Sequence, residues 1–193
     1  AMANTKQVKA ANLFNNGFAT TIGDGQPFFS AAHPTIAAGG QSNLAAAADL
    51  SEATLETILT NIQKISDDRG ILIGASAESL HIPVDSWAIA DRIMSSPGNT
   101  QTSELQANPN TNAINAIRHL GMLPNGYYIN RRFTDTDSYF VKTDVPNGAK
   151  MFNRTPLQTK MEPDFDTGNL RFKARERYSF GVSDWRGYFG SAG

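Results

Sequence analysis

Cysteine is absent from this 193-residue chain. That excludes disulfides, thiolate metal sites and cysteine nucleophiles, but it assigns no compartment, because secreted proteins without cysteine exist. Net charge is also nearly absent, at −1 with an isoelectric point near 6.3. No global field therefore draws the molecule to nucleic acid or to an anionic membrane. No apolar run approaches the roughly 20 residues a membrane helix needs, and no signal-peptide pattern opens the chain, so a soluble protein is expected. Histidine is scarce: His33, His81 and His119 stand far apart, with none of the spacings by which a helix presents two imidazoles to zinc. No metal site is expected. His33, within Phe28-Phe29-Ser30-Ala31-Ala32-His33-Pro34, is expected to pack beside the phenylalanines, and His81 to be a core histidine of the same kind.

What the chain does have is 40% hydrophobic residues, enough for a real core in one domain of ordinary size or two small ones. Ala1-Met2 reads as a tag remnant ahead of a start codon, so the natural protein is expected to extend beyond this sequence. Ala10, Leu13, Phe14, Gly17 and Phe18 fall on one helical stripe, predicting a helix from about Thr5 to Phe18 that begins abruptly. Gly23-Asp24-Gly25 is turn chemistry, and Gln26 to Gln41 reads as a meandering loop. Ser51 is a good N-cap, with Leu50 and Leu55 placed as a hydrophobic staple, and Leu55, Ile58, Leu59, Ile62 and Ile65 mark a buried helical face. Ile71-Leu72-Ile73 reads as a short buried strand. Pro83 suits the first turn of a second helix carrying Trp87, Ala90, Ile93 and Met94 inward.

Gln101 to Asn112 is expected to be a polar surface loop; Ile114, Ile117 and Leu120 follow at helical spacing, though in so short a segment a strand fits nearly as well. From Gly126 onward the pattern turns strand-like, at Tyr127 to Ile129, Tyr139 to Lys142, Lys150 to Phe152 and Leu170 to Phe180, with Pro146-Asn147-Gly148 a hairpin signal. Helices first and strands later make the fold class α+β.

Several motifs invite chemistry and then fall short. Gly74-Ala75-Ser76-Ala77-Glu78 has the setting of a nucleophile elbow but lacks the second glycine, so Ser76 is taken as a cap at a strand-to-helix turn. Asp164 to Gly168 opens like a calcium loop, yet Asn169 occupies the place of the sharp-turn glycine and Arg175 that of the bidentate glutamate. Asp135 and Asp137 suit a solvated turn better than an acid and base pair, and Gly23 to Gly25 is too short to cradle phosphate. No catalytic residue and no cofactor is assigned.

The last thirty residues are the most informative, and they read as a docking surface. On a strand, Arg171, Lys173, Arg175 and Arg177 form one basic stripe while Phe172, Ala174, Tyr178 and Phe180 line the opposite face. Glu176 alone breaks that apolar face and needs a partner, for which Arg175, Arg177 or Arg186 is available. Trp185, Arg186, Tyr188 and Phe189 are residue types enriched at interface hot spots, unless Trp185 and Phe189 close the core of their own subunit. The expected interface set is Arg171, Lys173, Arg175, Glu176, Arg177, Trp185, Arg186, Tyr188 and Phe189.

Four blocks together resemble the major capsid proteins of tailed bacteriophages, including prophage-encoded major head subunits. They are Gly23 to Ser30 with His33-Pro34; Glu78 to Pro83 followed by Trp87 to Met94; Leu120-Gly121 through Tyr127 and Thr134 to Phe140; and Asp164 to Gly190. The last block is the most specific. The resemblance implies an axial domain plus part of a peripheral domain that holds the end of a long spine helix. Residues 1–50 would be the end of that helix and its connecting loop, 51–130 mostly axial, and 131–193 strands returning to the peripheral domain. The N-terminal arm and extended loop of that family have no counterpart here, and its lysine to asparagine crosslink is not carried over. The function implied is a non-enzymatic shell subunit of an icosahedral head around double-stranded DNA. Its partners would be other copies, in pentamers and hexamers, together with portal, scaffold or decoration proteins, and packaged DNA held weakly at the inner surface; no membrane partner is implied. Its location would be the virion, and the host cytoplasm during assembly, with this chain mainly monomeric at micromolar concentration. The alternatives are an α/β-type serine hydrolase using Ser76, and a DNA-binding module using the Arg171 to Arg177 stripe.

Overall fold

The computed structural model describes residues 2–36, 39–98, 114–163 and 165–193. Four short strands form the central sheet: β1 (Ala77–Ile82), β2 (Tyr127–Ile129), β3 (Tyr139–Thr143) and β6 (Tyr188–Ser191), in the order β2-β1-β3-β6. β1 runs parallel to β2 and antiparallel to β3, and β3 is antiparallel to β6. Alternation across the sheet separates two apolar clusters. Leu80, Val141 and Phe189, with Ile82 and Tyr139, face α2 (Glu52–Gln63) and α3 (Trp87–Ser95), where Leu55, Ile58, Ile62, Ala90 and Ile93 are buried with them. Phe140 faces the other way, joining Phe28, Phe29 and the Phe14 of α1 (Met2–Asn15). Gly190 lies opposite Phe140, and a Cβ there would stand 2.8 Å from the Phe29 ring; its bare backbone lets that ring settle on the sheet.

The chain is α+β, and the cap of α2 forms as its sequence predicts: the Ser51 hydroxyl accepts from the Thr54 amide while Thr54 Oγ1 accepts from the Ser51 amide. α1 starts and ends about three residues earlier than its stripe, running Met2–Asn15, though Leu13, Phe14 and Phe18 still pack on the second cluster. The first cluster draws on residues from Leu50 to Phe189, so segments on both sides of residue 130 share one core.

Several expectations are corrected. Ile71-Leu72-Ile73 is no buried strand: Ile71 and Leu72 are 64% and 67% exposed at the end of a turn. Asp67 Oδ1 accepts from the Arg69 and Ile71 amides and holds that turn, across which Leu72 makes an isolated antiparallel bridge to Ser66. α3 starts after Ser86, leaving Pro83 outside it, and Trp87 is half exposed while Ala90 and Ile93 turn inward. Around Ile117 the helical spacing does yield a helix, the four-residue α4 (Ala116–His119), but only Ile117 is buried, with Ile114 and Leu120 exposed on either side of it. Pro146-Asn147-Gly148 is a true turn, with Asn147 at φ 69°, but it makes no hairpin. Instead it sends the chain out of the sheet into a second structure, where, among the described residues, β4 (Ala149–Pro163) pairs only with β5 (Leu170–Val182). The Gln101 to Asn112 segment lies outside the described residues.

Candidate assembly interface

β4 and β5 form an antiparallel ribbon of 15 and 13 residues, roughly 45 Å long at about 3.4 Å per residue. Cross-strand register fixes what each face carries. Arg171 lies opposite Glu162, Lys173 opposite Lys160, Arg175 opposite Gln158 and Arg177 opposite Thr155, so the basic stripe exists as a face. Lys160 forms an ion pair with Glu162. On the reverse face Leu170 meets Pro163, Phe172 meets Met161, Ala174 meets Thr159, and Phe180 meets Met151.

The two ends of that apolar face differ. Near the body, α1 lies on β5: the Lys6 ammonium pairs with Glu176 and sits 5.3 Å from the Tyr178 ring. Glu176 has only 5% of its side chain exposed, so its partner is Lys6 of α1 and none of the three arginines expected from the sequence. Beyond Glu176 the cover stops. Leu170 and Phe172 are each 65% exposed, Met161 is 58%, and Phe165 in the connecting turn is wholly exposed. Between α1 and β5 runs an open groove of about 930 Å³, floored by Leu13, Phe28, Tyr178 and Phe180.

The C-terminal quartet sits elsewhere and serves the interior. Trp185, in a 3-10 turn (Trp185–Gly187), is buried and stacks on His33 at 4.3 Å, with rings 4° from parallel. His33 therefore packs on Trp185, not among the phenylalanines. The Arg186 guanidinium lies 4.5 Å from the Trp185 ring; its Nη2 donates to Asp68 Oδ1 at 2.6 Å and its Nε to the Ser66 carbonyl at 3.1 Å. Phe189 belongs to the main core, and Tyr188 packs edge-on against Phe14 at 5.1 Å. Trp185 and Phe189 are buried in their own chain, as the core alternative has it, and Arg186 is buried beside Trp185.

Asn43, which no sequence pattern marks, is the polar hub of this region. Its Nδ2, with two hydrogens, lies within reach of three carbonyls, those of Phe28, Tyr188 and Trp185 at 2.8, 3.0 and 3.2 Å, so one hydrogen is shared. Its Oδ1 accepts from the Ser30 amide at 2.9 Å and from His33 Nε2 at 3.0 Å, while His33 Nδ1 faces Asp24 Oδ2 at 2.6 Å. A single fully buried amide thus ties the 24–43 loop to the chain's last strand.

The features considered for catalysis stay apart. Ser76 precedes β1 and no helix follows it, so the strand-to-helix elbow is missing; its amide donates to Asp144 Oδ1 at 2.9 Å. Ser79 Oγ lies 3.1 Å from His81 Nε2, but Ser79 is buried and the imidazole stacks on Tyr128. Burial, helped by the nearby Lys142 ammonium, pushes the His81 pKa down to about 4. Lys142 itself is held protonated by its bond to Glu78, which raises its pKa. Among the described residues no group of three or more His, Asp or Glu is placed to hold a metal, and no helix is long and apolar enough to cross a membrane.

No family model matches the chain, and no curated protein matches it in sequence. Two solved structures are similar at a TM-score of 0.44. One is a virus-like particle from Pyrococcus furiosus, 9% identical, over 77% of this chain and 56% of that one. The other is the capsid of an empty GTA particle computed with C5 symmetry, 16% identical, over 98% of this chain and 64% of that one. This chain thus spans 56% and 64% of the length of those two proteins. The basic face, the uncovered apolar end and the groove beside α1 are exposed surfaces, whereas Trp185, Arg186 and Phe189 are buried and Tyr188 is half-buried.

Proposed function

We propose that this chain is a non-enzymatic structural subunit of an icosahedral phage or prophage head, which docks copies of itself into a shell around double-stranded DNA. The observation that carries the reading is the ribbon. Its distal half exposes Leu170, Phe172 and Met161 on one face and lysines and arginines on the other. A two-stranded ribbon alone is marginal in water, and large exposed apolar patches mark association surfaces. The four sequence blocks that resemble tailed-phage capsid proteins support the same reading. On it, α1 and the ribbon are peripheral, α2, α3 and the sheet edge they cover are mostly axial, and portal, scaffold or decoration proteins dock on the assembled shell. Virion and host cytoplasm during assembly are its locations.

Sedimentation velocity from about 10 µM to about 1 mM, followed by negative-stain imaging, tests the reading; millimolar contacts correspond to about 4 kcal/mol. The expected outcome is a monomer at the low end, seen also in native mass spectrometry, with rings or curved sheets appearing as concentration rises. A strict monomer over the whole range would overturn the proposal. The exposed cations of β5 keep a DNA-binding reading in view, with a sharp signature: four phosphate contacts give a log–log salt slope of about −3 to −4, and a flat titration removes it.

A further inference from the structure

The ribbon ends in a knob. Phe165, in the turn that joins β4 to β5, is wholly exposed, and Asp166 beside it is exposed too. An aromatic ring held in water at the end of a projecting element forgoes the whole of its burial energy, and only a hollow that such an end can enter would recover it.

The groove between α1 and β5 is a hollow of that kind, and its volume of about 930 Å³ is that of a binding pocket. One wall is α1, which presents Lys9, Asn12 and Leu13 at helical spacing. The other is formed by residues 176–182 of β5. Successive residues of a strand point to opposite faces, so an unbroken run along one groove means that the strand's edge faces it. Among the described residues β5 pairs with β4 alone, and this edge offers N–H and C=O groups that no strand takes up. Tyr178 and Phe180, half-buried and set edge-on at 5.6 Å, form the apolar floor with Leu13 and Phe28. The acid on the groove, Glu176, is already held by Lys6, while Lys9 is exposed and makes no ion pair among the described residues. The groove thus sets an uncompensated cation beside aromatics, and the knob sets a carboxylate beside an aromatic.

Knob and groove of one chain cannot meet, because roughly 27 Å of extended strand runs from Leu170, behind the tip, to Tyr178 in the groove. We infer that the ribbon tip of one copy enters the groove of a second, with Phe165 against Tyr178 and Phe180 and Asp166 at Lys9. The apolar and charged parts of the tip adjoin in sequence and enter together, so one docking satisfies both. Each copy carries one knob and one groove, which makes the contact head-to-tail and lets it propagate into rings or sheets. This rests on the self-association proposed above and specifies which surfaces meet.

The cysteine-free chain permits a direct test. Asn169→Cys, behind the tip, and Asn16→Cys, on the groove, are prepared separately and mixed at about 500 µM, where contacts of millimolar strength are populated. A short bismaleimide is added and the products are weighed by mass spectrometry. The expected result is a mixed dimer about fivefold or more in excess of either self-linked dimer. Phe165→Ser in the first protein lowers the mixed product about fivefold. Lys9→Glu in the second lowers it about threefold, and Asp166→Lys in the first then restores it. Urea midpoints stay unchanged throughout, as expected of exposed positions. Chains that associate on sedimentation but link tip to tip, groove to groove or not at all overturn this pairing and leave self-association standing, as do mixed dimers indifferent to Phe165→Ser. Chains that neither associate nor link overturn both.

Discussion

Replacing Asn43 by alanine tests most directly how this fold is held together. In a fully buried site the two amide hydrogens serve three carbonyls, those of Phe28, Trp185 and Tyr188, one hydrogen being shared, and the amide oxygen accepts from Ser30 and His33. Truncation strands the Ser30 amide and the His33 ring without an acceptor, at about 1–3 kcal/mol for each unsatisfied buried group, and adds a small cavity. The carbonyls suffer less, because the Tyr188 amide already donates to Trp185 O. A loss of about 3–5 kcal/mol is expected, a large share of the roughly 5–15 kcal/mol of a typical domain. With a urea m-value of about 2 kcal/mol/M, the midpoint drops by about 1.5–2.5 M at unchanged m. Exposed Ser42→Ala, next in sequence, serves as the control and moves the midpoint little. If Asn43→Ala loses less than about 1 kcal/mol, the hub is not what joins the 24–43 loop to β6, and the reasoning fails.

Three further outcomes follow from named contacts. His81 has a folded pKa of about 4 against 6.5 unfolded, so the unfolded chain binds the extra proton. Stability is therefore full above about pH 6.5 and falls as pH drops towards 4, by about 3 kcal/mol at most; His81→Phe flattens the urea midpoint profile in that window, and parallel profiles would refute the assignment. Gly187→Ala puts a Cβ 2.5 Å from the Gly148 Cα, backbone against side chain, and should cost about 1–3 kcal/mol in thermal or urea unfolding, where a neutral result would show that the two turns can separate. Lys6→Met leaves the buried Glu176 carboxylate alone and should cost about 1–3 kcal/mol, recovered largely by the double variant with Glu176→Gln; equal losses in single and double variants would mean the pair contributes nothing.

Local chemistry made part of this legible. The Ser51 cap, the Leu50 and Leu55 staple positions and the three-four spacing through Ile62 specify α2 without help from the rest of the chain, and the alternation in Arg171 to Phe180 specifies a two-faced strand. What was hidden depends on partners far away in sequence. Asn43 gains its value only when carbonyls 142 and 145 residues later arrive beside it. Lys6 meets Glu176 only because α1 lies along β5. Ile71 to Ile73 has strand propensity, and Leu72 does pair with Ser66 across the Asp67 turn, but the bridge stays isolated and exposed because no further strand or helix covers it among the described residues. The turn at Pro146 to Gly148 was recognisable as a turn and not as an exit from the sheet, since its direction is set by Gly148 passing against Gly187.

The same distinction between locally and distantly supported structure predicts how the ribbon behaves in isolation. Near the body its ladder is backed by α1, through Lys6, Glu176 and Tyr178. Register shifts between Asn153 and Gln158 separate that part from the distal ladder, and from about Gln158 and Arg175 outward the pairing of β4 with β5 is the only support among the described residues. A hairpin without a third layer is marginal, so amides of the distal ladder in the dilute monomer should exchange at least about a hundredfold faster than those paired between Met151 and Phe180. Raising the concentration into the range of self-association should slow the distal amides selectively, because the second copy supplies the missing layer. Hydrogen exchange read by mass spectrometry at two concentrations separates the cases. Uniform strong protection along the whole ribbon in the dilute monomer would mean that β4 and β5 need no partner, and the exposed Phe172 and Leu170 would then lose their claim to be half of an interface.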